Sequence, residues 1–100
     1  MIVYISIGNS DDKLSQEHWA RFIERVDEVV DGVYATVHGR WYSSPRSPFQ
    51  NACWCVEFVV DAVATVRRVR RALRQLASDY QQDCIAWAVA ETEFLTPDPV

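Results

Sequence analysis

Residues 50–60 alternate between large apolar and small or polar side chains, and this alternation constrains the fold more than any other feature. Because successive side chains of a strand point to opposite faces, the segment is predicted to be a half-buried central strand. We therefore expect an antiparallel sheet with helices on its apolar face. Ala52, Trp54, Val56, Phe58 and Val60 form the apolar side, and Asn51, Cys53, Cys55 and Glu57 form the other side.

Three further extended segments, residues 2–7, 33–43 and 84–94, show alternation of the same kind. A loop with two prolines, Pro45 and Pro48, separates the second strand from the third, because proline cannot donate a ladder hydrogen bond. In the second strand, the predicted inward side chains are Val33, Ala35, Val37 and Trp41, and the predicted outward ones are Tyr34, Thr36, His38, Arg40 and Tyr42.

Two segments carry apolar residues at three- and four-residue steps, which is the period of an amphipathic helix. The first follows Ser15, whose hydroxyl suits an N-cap, and ends at Gly32, which suits a left-handed position after the helix. The second is predicted to be capped by Asp61 and to run to about residue 81.

The order of these elements is β-α-β-β-α-β. Right-handed crossovers then favour an α+β, ferredoxin-like two-layer sandwich with the antiparallel sheet order 4-1-3-2. The alternative is another two-layer arrangement of the same elements. We expect one domain over residues 1–95 and a tail over residues 96–100.

Composition excludes several classes of protein. Hydrophobic residues make up 49% of the 100 residues, which is enough for a core, and the net charge of −4 argues against a general nucleic-acid binder. No apolar run reaches the roughly 18–20 residues that span a bilayer, and the N-terminal residues lack the basic region of a signal peptide. Three cysteines, an odd number, suggest a reducing compartment, so we expect a cytoplasmic protein.

The predicted fold brings the loop after the first strand, the start of the first helix and the proline hairpin to one edge. Free backbone N–H groups and the helix dipole favour an anion there, aromatic rings can stack on a ligand, and Arg46 can pair with a phosphate. Asp11, Asp12 and Asp83 could hold a divalent cation beside it. The alternative is a set of ordinary turn residues placed by local hydrogen bonds. The predicted ligand-binding residues are Asn9, Ser10, Trp41, Tyr42, Arg46 and Asn51.

The sheet face opposite the helices is predicted to be small and mildly apolar. A two-fold homodimer packed sheet against sheet is the simplest use of such a face; a ligand groove and a solvated surface are the alternatives. The predicted interface residues are Tyr4, Thr36, His38, Cys53, Cys55, Ala86 and Ala88.

The second helix carries a run of five arginines. The simplest interpretation is charge complementarity with the acidic first helix, whose exposed pairs contribute about 0–1 kcal/mol each; binding of nucleic-acid phosphates is the alternative. The run consists of Arg67, Arg68, Arg70, Arg71 and Arg74.

The side chains with catalytic chemistry form no complete motif. Cys53, Cys55 and His38 resemble part of a metal site, but zinc needs four ligands and buried cysteines more often act as small hydrophobic groups. Glu91 and Glu93 share a strand face, where carboxylates serve acid–base catalysis only if their pKa values differ. We therefore expect no metal and no cofactor, and favour a protein that is not an enzyme.

Two resemblances add to these inferences. The phrases at residues 5–14, 50–57 and 82–88 resemble a family of small uncharacterised proteins from actinobacteria and their phages, which implies a cytoplasmic, phage-encoded accessory protein. The Gly8-Asn9 turn, the hairpin at residues 43–48 and Asn51-Ala52 resemble the layout of pterin pyrophosphokinases over residues 1–76. The chain lacks their Asp-x-Asp magnesium pair and their basic motif, so this likeness implies the fold and a binding edge and does not imply kinase activity.

Three hypotheses follow. The first is a non-enzymatic binding protein, homodimeric, that sequesters a small anionic or nucleotide-like ligand at the loop edge, as a phage protein acting on a host nucleotide would. The second is a protein–protein inhibitor or adaptor that acts on a host protein through the open sheet face or the arginine-rich helix. The third is a small enzyme that uses Cys53, Cys55, Glu91 or Glu93.

Overall fold

The computed structural model describes residues 1–44 and 46–99 of the chain. The predicted roles of Pro45 in the hairpin and of Val100 in the tail therefore lie outside the described residues. In chain order the elements are β1 (Ile2–Gly8), α1 (Gln16–Asp31), β2 (Ala35–Tyr42), β3 (Asn51–Phe58), α2 (Val63–Asp79) and β4 (Ala86–Ala90).

The four strands form one antiparallel sheet in the order β2-β3-β1-β4. This is the predicted order 4-1-3-2 seen from the other edge, and the α+β class is likewise confirmed. β1 and β3 lie in the centre of the sheet, and β2 and β4 lie at its edges. The start of β1 and the end of β4 meet at one end of the sheet, where Ile2 pairs with Ala90.

The core lies between the helices and one face of the sheet. The alternation of β3 is confirmed, because Trp54, Val56 and Phe58 are at most 1% exposed. Val60 was expected on the same side, but it follows the end of β3 and is 85% exposed. The helices contribute Trp19, Phe22, Val26 and Val30 from α1 and Val69 and Leu73 from α2.

The start of α1 agrees with the prediction, whereas its end does not. Ser15 is the N-cap, and its Oγ accepts a hydrogen bond from the His18 backbone N–H at 3.2 Å. Gly32 was expected in a left-handed conformation, but its φ is −81°. Glycine is needed there for space, because a Cβ at Gly32 would lie 2.9 Å from the carbonyl oxygen of Glu28.

The predicted cap of α2 is wrong. Asp61 has a φ of 66° and lies before the cap position, which Ala62 occupies without a side-chain hydrogen bond. Asp61 therefore serves the turn that leads into the helix, where aspartate tolerates the left-handed region better than most residues do.

A β-bulge in β2 reverses the predicted orientation of the residues that follow it. Val37 pairs with Val56, and the next recorded pair joins Gly39 to Cys55, so His38 is an extra residue on the β2 side. A bulge of this kind shifts the alternation by one residue. Beyond it Arg40 and Tyr42 turn toward the helices and Trp41 turns toward the open face, opposite to the prediction for all three.

The last strand is shorter than predicted. β4 ends at Ala90 instead of Phe94, and residues 91–99 are exposed and form no regular secondary structure. Within residues 1–44 and 46–99, no helix combines the length and the apolar character needed to cross a membrane.

Candidate functional site

The loop after β1 meets the start of β3, as predicted, but Asn9 is turned inward. Its side chain is 0% exposed. Its Nδ2 donates to the Leu14 carbonyl oxygen at 3.0 Å and to Gln50 Oε1 at 2.9 Å, and its Oδ1 accepts from the Leu14 N–H at 3.0 Å. The Asn9 amide thus ties β1, the start of α1 and the start of β3 together.

The other predicted ligand residues are exposed but do not form one surface. Trp41 and Tyr42 lie on opposite faces of the sheet because they are consecutive residues of β2. Ser10, Arg46 and Asn51 are exposed in the two loops at this edge. The structure therefore brings the loops together without placing the two aromatic rings side by side.

The acidic residues near this edge contact a lysine. Lys13 Nζ lies 3.7 Å from Asp11 Oδ2 and 3.4 Å from Asp83 Oδ2. In the part of the chain that the structure describes, no group of three or more His, Cys, Asp or Glu side chains is placed to hold a metal ion.

A polar cluster joins α1 to β2 on the helix side of the sheet. Asp27 Oδ1 accepts from the indole Nε1 of Trp54 at 2.6 Å and from Arg40 Nη1 at 2.7 Å, and the Tyr42 hydroxyl lies 3.4 Å from Asp27 Oδ2. Arg40 also pairs with Asp31. The bulge makes this cluster possible, because it turns Arg40 and Tyr42 toward the helix.

The cluster shifts the ionisation of its members. Hydrogen bonding to Arg40 holds the pKa of the Asp31 carboxyl below its ordinary value, and the same contact raises the pKa of Arg40. Burial raises the pKa of the Tyr42 hydroxyl, and repulsion from Asp27 adds to this effect. The chemistry of the cluster is that of a structural tie, since its donors and acceptors are paired with one another.

The open sheet face carries the predicted interface residues together with an aromatic pair that was not predicted. Tyr4 and Trp41 stack with their ring centroids 6.4 Å apart and are 40% and 53% exposed. His38 Nε2 lies 2.7 Å from Glu57 Oε1 on the same face. Ser6 Oγ donates to Cys53 Sγ at 3.3 Å.

The remaining interface candidates differ in accessibility. Cys55 is 6% exposed although it belongs to the open face, whereas Ala86 and Ala88 on β4 and Thr36 on β2 are exposed. The face is therefore accessible at its two edges and around the stacked rings, and one of its two thiols is covered.

The arginine run of α2 does not pair with α1, which corrects the simplest interpretation of its charge. Among residues 1–44 and 46–99, four carboxylates of α1, those of Glu17, Asp27, Glu28 and Asp31, pair with Arg21, Arg25 or Arg40. Within the same residues, no salt bridge within 4.0 Å involves an arginine of α2. The Asp27 and Asp31 carboxylates pair instead with Arg40 of β2.

Three of these arginines line two adjoining cavities along α2. Arg67, Arg70 and Arg74 border a cavity of about 610 Å³, and Arg70 and Arg74 also border one of about 480 Å³. The two cavities share Arg70 and Arg74, and we call the pair the arginine groove. Arg70 lies over the Trp87 ring of β4, with its Cζ 5.5 Å from the ring centroid.

One end of the arginine groove is apolar. It is bordered by Val59, Val60 and Val63, which are 57%, 85% and 63% exposed, and by Met1. The groove thus combines exposed aliphatic side chains with guanidinium groups that form no salt bridge within the described residues, and Asp61 borders it at this apolar end. Its other end reaches residues 82–84 before β4, among them Asp83, whose carboxylate pairs with Lys13.

Sequence reasoning found the arginine run but did not recognise the groove. A signal is present in the spacing, because Arg67, Arg70 and Arg74 recur at three- and four-residue steps and therefore share one helix face. The apolar residues at 59, 60 and 63 were assigned to the strand and the helix core, so they were not combined with this face.

Comparisons with protein-family models and with curated proteins found no match to this chain. The resemblances to the actinobacterial and phage family and to the pterin pyrophosphokinases therefore remain predictions.

Proposed function

We propose that the protein is a non-enzymatic binding module whose arginine groove receives an acidic, partly apolar segment of a partner protein. The observation that carries this proposal is the row formed by Arg67, Arg70 and Arg74, which form no salt bridge within the described residues and border two adjoining cavities. The chain has a net charge of −4, so this row of arginines is a local positive region on an acidic protein.

The composition of the groove supports a peptide segment over other anions. Val59, Val60 and Val63 offer apolar contact that phosphate cannot use, whereas an extended peptide can present carboxylates and aliphatic side chains together. Single-stranded nucleic acid requires several open stacking rings. Of the two aromatic rings that border this groove, Trp87 lies against Arg70 and Phe58 is 1% exposed. Negative net charge also opposes a nucleic-acid partner.

The chemistry of the lining supports binding without catalysis. A guanidinium group stays protonated at neutral pH, so it donates hydrogen bonds and cannot act as a general base. The groove therefore suits recognition of carboxylates, for which arginine offers two parallel donors.

Three further inferences accompany this proposal. The order of elements and of strands supports a ferredoxin-like arrangement. Three free cysteines, Cys53, Cys55 and Cys84, support a reducing cytoplasm as the location. The small-ligand hypothesis at the loop edge stays a prediction with less support, because the buried amide of Asn9 is occupied by Leu14 and Gln50.

The test is a fluorescence-anisotropy titration with a labelled ten-residue peptide of alternating glutamate and leucine. We expect saturable binding that an otherwise identical peptide with glutamine for glutamate lacks. Arg70→Ala combined with Arg74→Ala should weaken binding at least about tenfold, since a hydrogen bond to a charged group contributes roughly 1.5–3 kcal/mol.

The matched control is Arg68→Ala combined with Arg71→Ala, which removes the same charge from the same helix outside the groove lining. It should change the affinity less than about twofold, since long-range charge effects are screened by salt. Equal losses in the two double variants, or no saturable binding of the acidic peptide, would contradict the proposal. Binding of ATP that Arg46→Ala abolishes would instead favour the loop edge.

A further inference from the structure

Residues 91–99, which we call the acidic segment, are all exposed to solvent. Phe94 and Leu95 are 87% and 85% exposed, and no residue of the segment borders the arginine groove. The radius of gyration is 15.4 Å, compared with about 13 Å for a compact domain of this length. The segment carries carboxylates at Glu91, Glu93 and Asp98 next to these apolar side chains.

We infer that the acidic segment of one copy occupies the arginine groove of a second copy, and that two copies exchange these segments reciprocally. This inference rests on the proposed function, because it assigns to the same groove a partner of the chemistry proposed there. The charges are complementary along α2: the groove presents guanidinium groups and aliphatic side chains between Asp61 and Asp83, of which Asp83 pairs with Lys13, and the segment presents carboxylates and aliphatic side chains.

The spacings on the two sides agree. Arg70 and Arg74 are four residues apart, so they are about 6 Å apart along the axis of α2. Glu91 and Glu93 are two residues apart, so in an extended segment they lie on one side, ~6.6–6.8 Å apart. Leu95 continues the same side by one further step of this size.

One orientation places all three side chains opposite suitable partners. With Glu91 opposite Arg74 and Glu93 opposite Arg70, Leu95 reaches the turn of α2 that contains Val66, about 6 Å along the axis from Arg70. That turn borders the apolar end of the groove. The segment then runs in the direction opposite to α2.

The position of the segment on the fold favours an exchange between two copies. β4 ends at Ala90, which pairs with Ile2, and the neighbouring residue Met1 borders the apolar end of the groove. Each copy therefore projects its acidic segment from the end of the sheet at which its own groove is apolar. Two copies that lie side by side with antiparallel α2 helices place this end of each copy beside Arg74 of the other, so both present the same surface, as a two-fold interface requires.

Two short segments bury less area than a standard interface, so the dimer should be weak and dependent on concentration. Sedimentation velocity between about 10 µM and 1 mM, the range of weak affinities, should show a monomer converting to a dimer. Glu91→Lys with Glu93→Lys, and separately Arg70→Glu with Arg74→Glu, should each remain monomeric. Arg68→Glu with Arg71→Glu is the matched control and should dimerise normally.

Mixing the two monomeric variants provides the decisive measurement. The basic segment of the first variant then meets the acidic groove of the second, and the acidic segment of the second meets the unchanged groove of the first. A heterodimer should therefore form from two proteins that do not self-associate. Phe94→Ser with Leu95→Ser offers a second route, because these exposed changes do not disturb the core; this variant should weaken the dimer.

Distinct outcomes would overturn the inference. A wild-type protein that is monomeric throughout, a dimer that survives both charge reversals, or a mixture that forms no heterodimer would each contradict exchange of the segments. A dimer that survives would indicate the open sheet face instead. The titration with the glutamate–leucine peptide is independent of these results, so acidic-peptide binding by a monomeric protein would uphold the proposed function and reject the exchange.

Discussion

Asn9 shows how a single buried amide organises one edge of the molecule. Its side chain makes three hydrogen bonds, two with the backbone of Leu14 and one with Gln50, and no solvent reaches it. A polar group of this kind stabilises the fold only while all its partners are present, because each partner left unpaired in the interior has a desolvation cost.

Asn9→Ala is therefore expected to lower the free energy of unfolding by about 2 kcal/mol, because the backbone N–H and carbonyl of Leu14 lose their partner. Urea denaturation followed by circular dichroism measures this change. Ser10→Ala, an exposed neighbour, is the control and should stay within about 0.5 kcal/mol of the wild type. An unchanged stability of the Asn9 variant would restore the residue as a candidate ligand group.

Arg40 is a second residue whose structural role depends on its tertiary contacts. It bridges Asp27 and Asp31 of α1, and its side chain is 31% exposed, so the pairs are partly screened by solvent. The lowered pKa of Asp31 means that the carboxylate is favoured in the folded state.

The stabilisation by Arg40 should depend on pH in a defined direction. Because the folded pKa of Asp31 lies below its ordinary value of 3.8, the contribution is complete above that value and is lost as the pH falls through the folded pKa. Arg40→Met should cost about 1 kcal/mol at pH 7, and the difference from wild type should shrink as the pH falls below 3.8, the ordinary pKa of the carboxyl.

Urea titrations at several pH values measure this difference. Arg68→Met is the control, since Arg68 is exposed and has no salt bridge within the described residues. A stability difference between Arg40→Met and the wild type that is the same at pH 3 and pH 7 would contradict the assignment.

At the level of elements, the bulge in β2 decides which face receives each side chain of the strand. Because His38 is an extra residue, the parts of β2 before and after it both stay paired with β3, and Val37 and Arg40 both lie on the helix side. It also brings Trp41 over Gly39, where an added Cβ would lie 3.2 Å from the indole. A one-residue change in register is the main way in which a strand reverses its faces.

Deletion of His38 is expected to be tolerated. The remaining residues then alternate regularly and keep Val37 and Arg40 on the helix side, so the free energy of unfolding should fall by no more than about 1 kcal/mol, as for ordinary surface changes. Deletion of Thr36 should cost more than about 1.5 kcal/mol, because either Ala35 or Val37 must leave the helix side.

Thermal unfolding of the two deletion variants measures the contrast. The stacked Tyr4–Trp41 pair should persist when His38 is removed, which near-ultraviolet circular dichroism reports. Equal destabilisation by the two deletions would contradict the assignment of His38 as the extra residue.

For the whole molecule, the sheet order predicts a gradient of stability. β1 and β3 are paired on both sides and supply side chains that are fully buried, whereas β4 is paired only with β1 and ends in exposed residues. Regions with few buried contacts open locally at lower free energy than the core does.

Amide hydrogen exchange should therefore be slowest for Val3, Ile5, Trp54 and Val56 and progressively faster through β4 into residues 91–99. Exchange followed by nuclear magnetic resonance measures this order, and the amides of β2 serve as the comparison at the other edge. If the amides of β4 exchanged as slowly as those of β1, the gradient in the monomer would be contradicted. Slow exchange of the amides of residues 91–95 only at high protein concentration would agree with the exchanged dimer.

Much of this architecture is present in local patterns. The alternation at residues 51–58, the helical periods that include Phe22 and Leu73, and the cap at Ser15 each depend on neighbours in the chain, so the sequence was sufficient to predict the elements and, through right-handed crossovers, the order of the strands.

Only the tertiary structure decided the features that depend on distant partners. Asn9 is buried because Gln50 and Leu14 close around it, and Arg40 turns inward because a bulge in β2 adjusts its register to that of β3. The α2 arginines form no salt bridge within the described residues, and four acids of α1 pair with Arg21, Arg25 or Arg40 instead. These outcomes are set by distances between segments far apart in sequence, and residue spacing along the chain does not contain those distances.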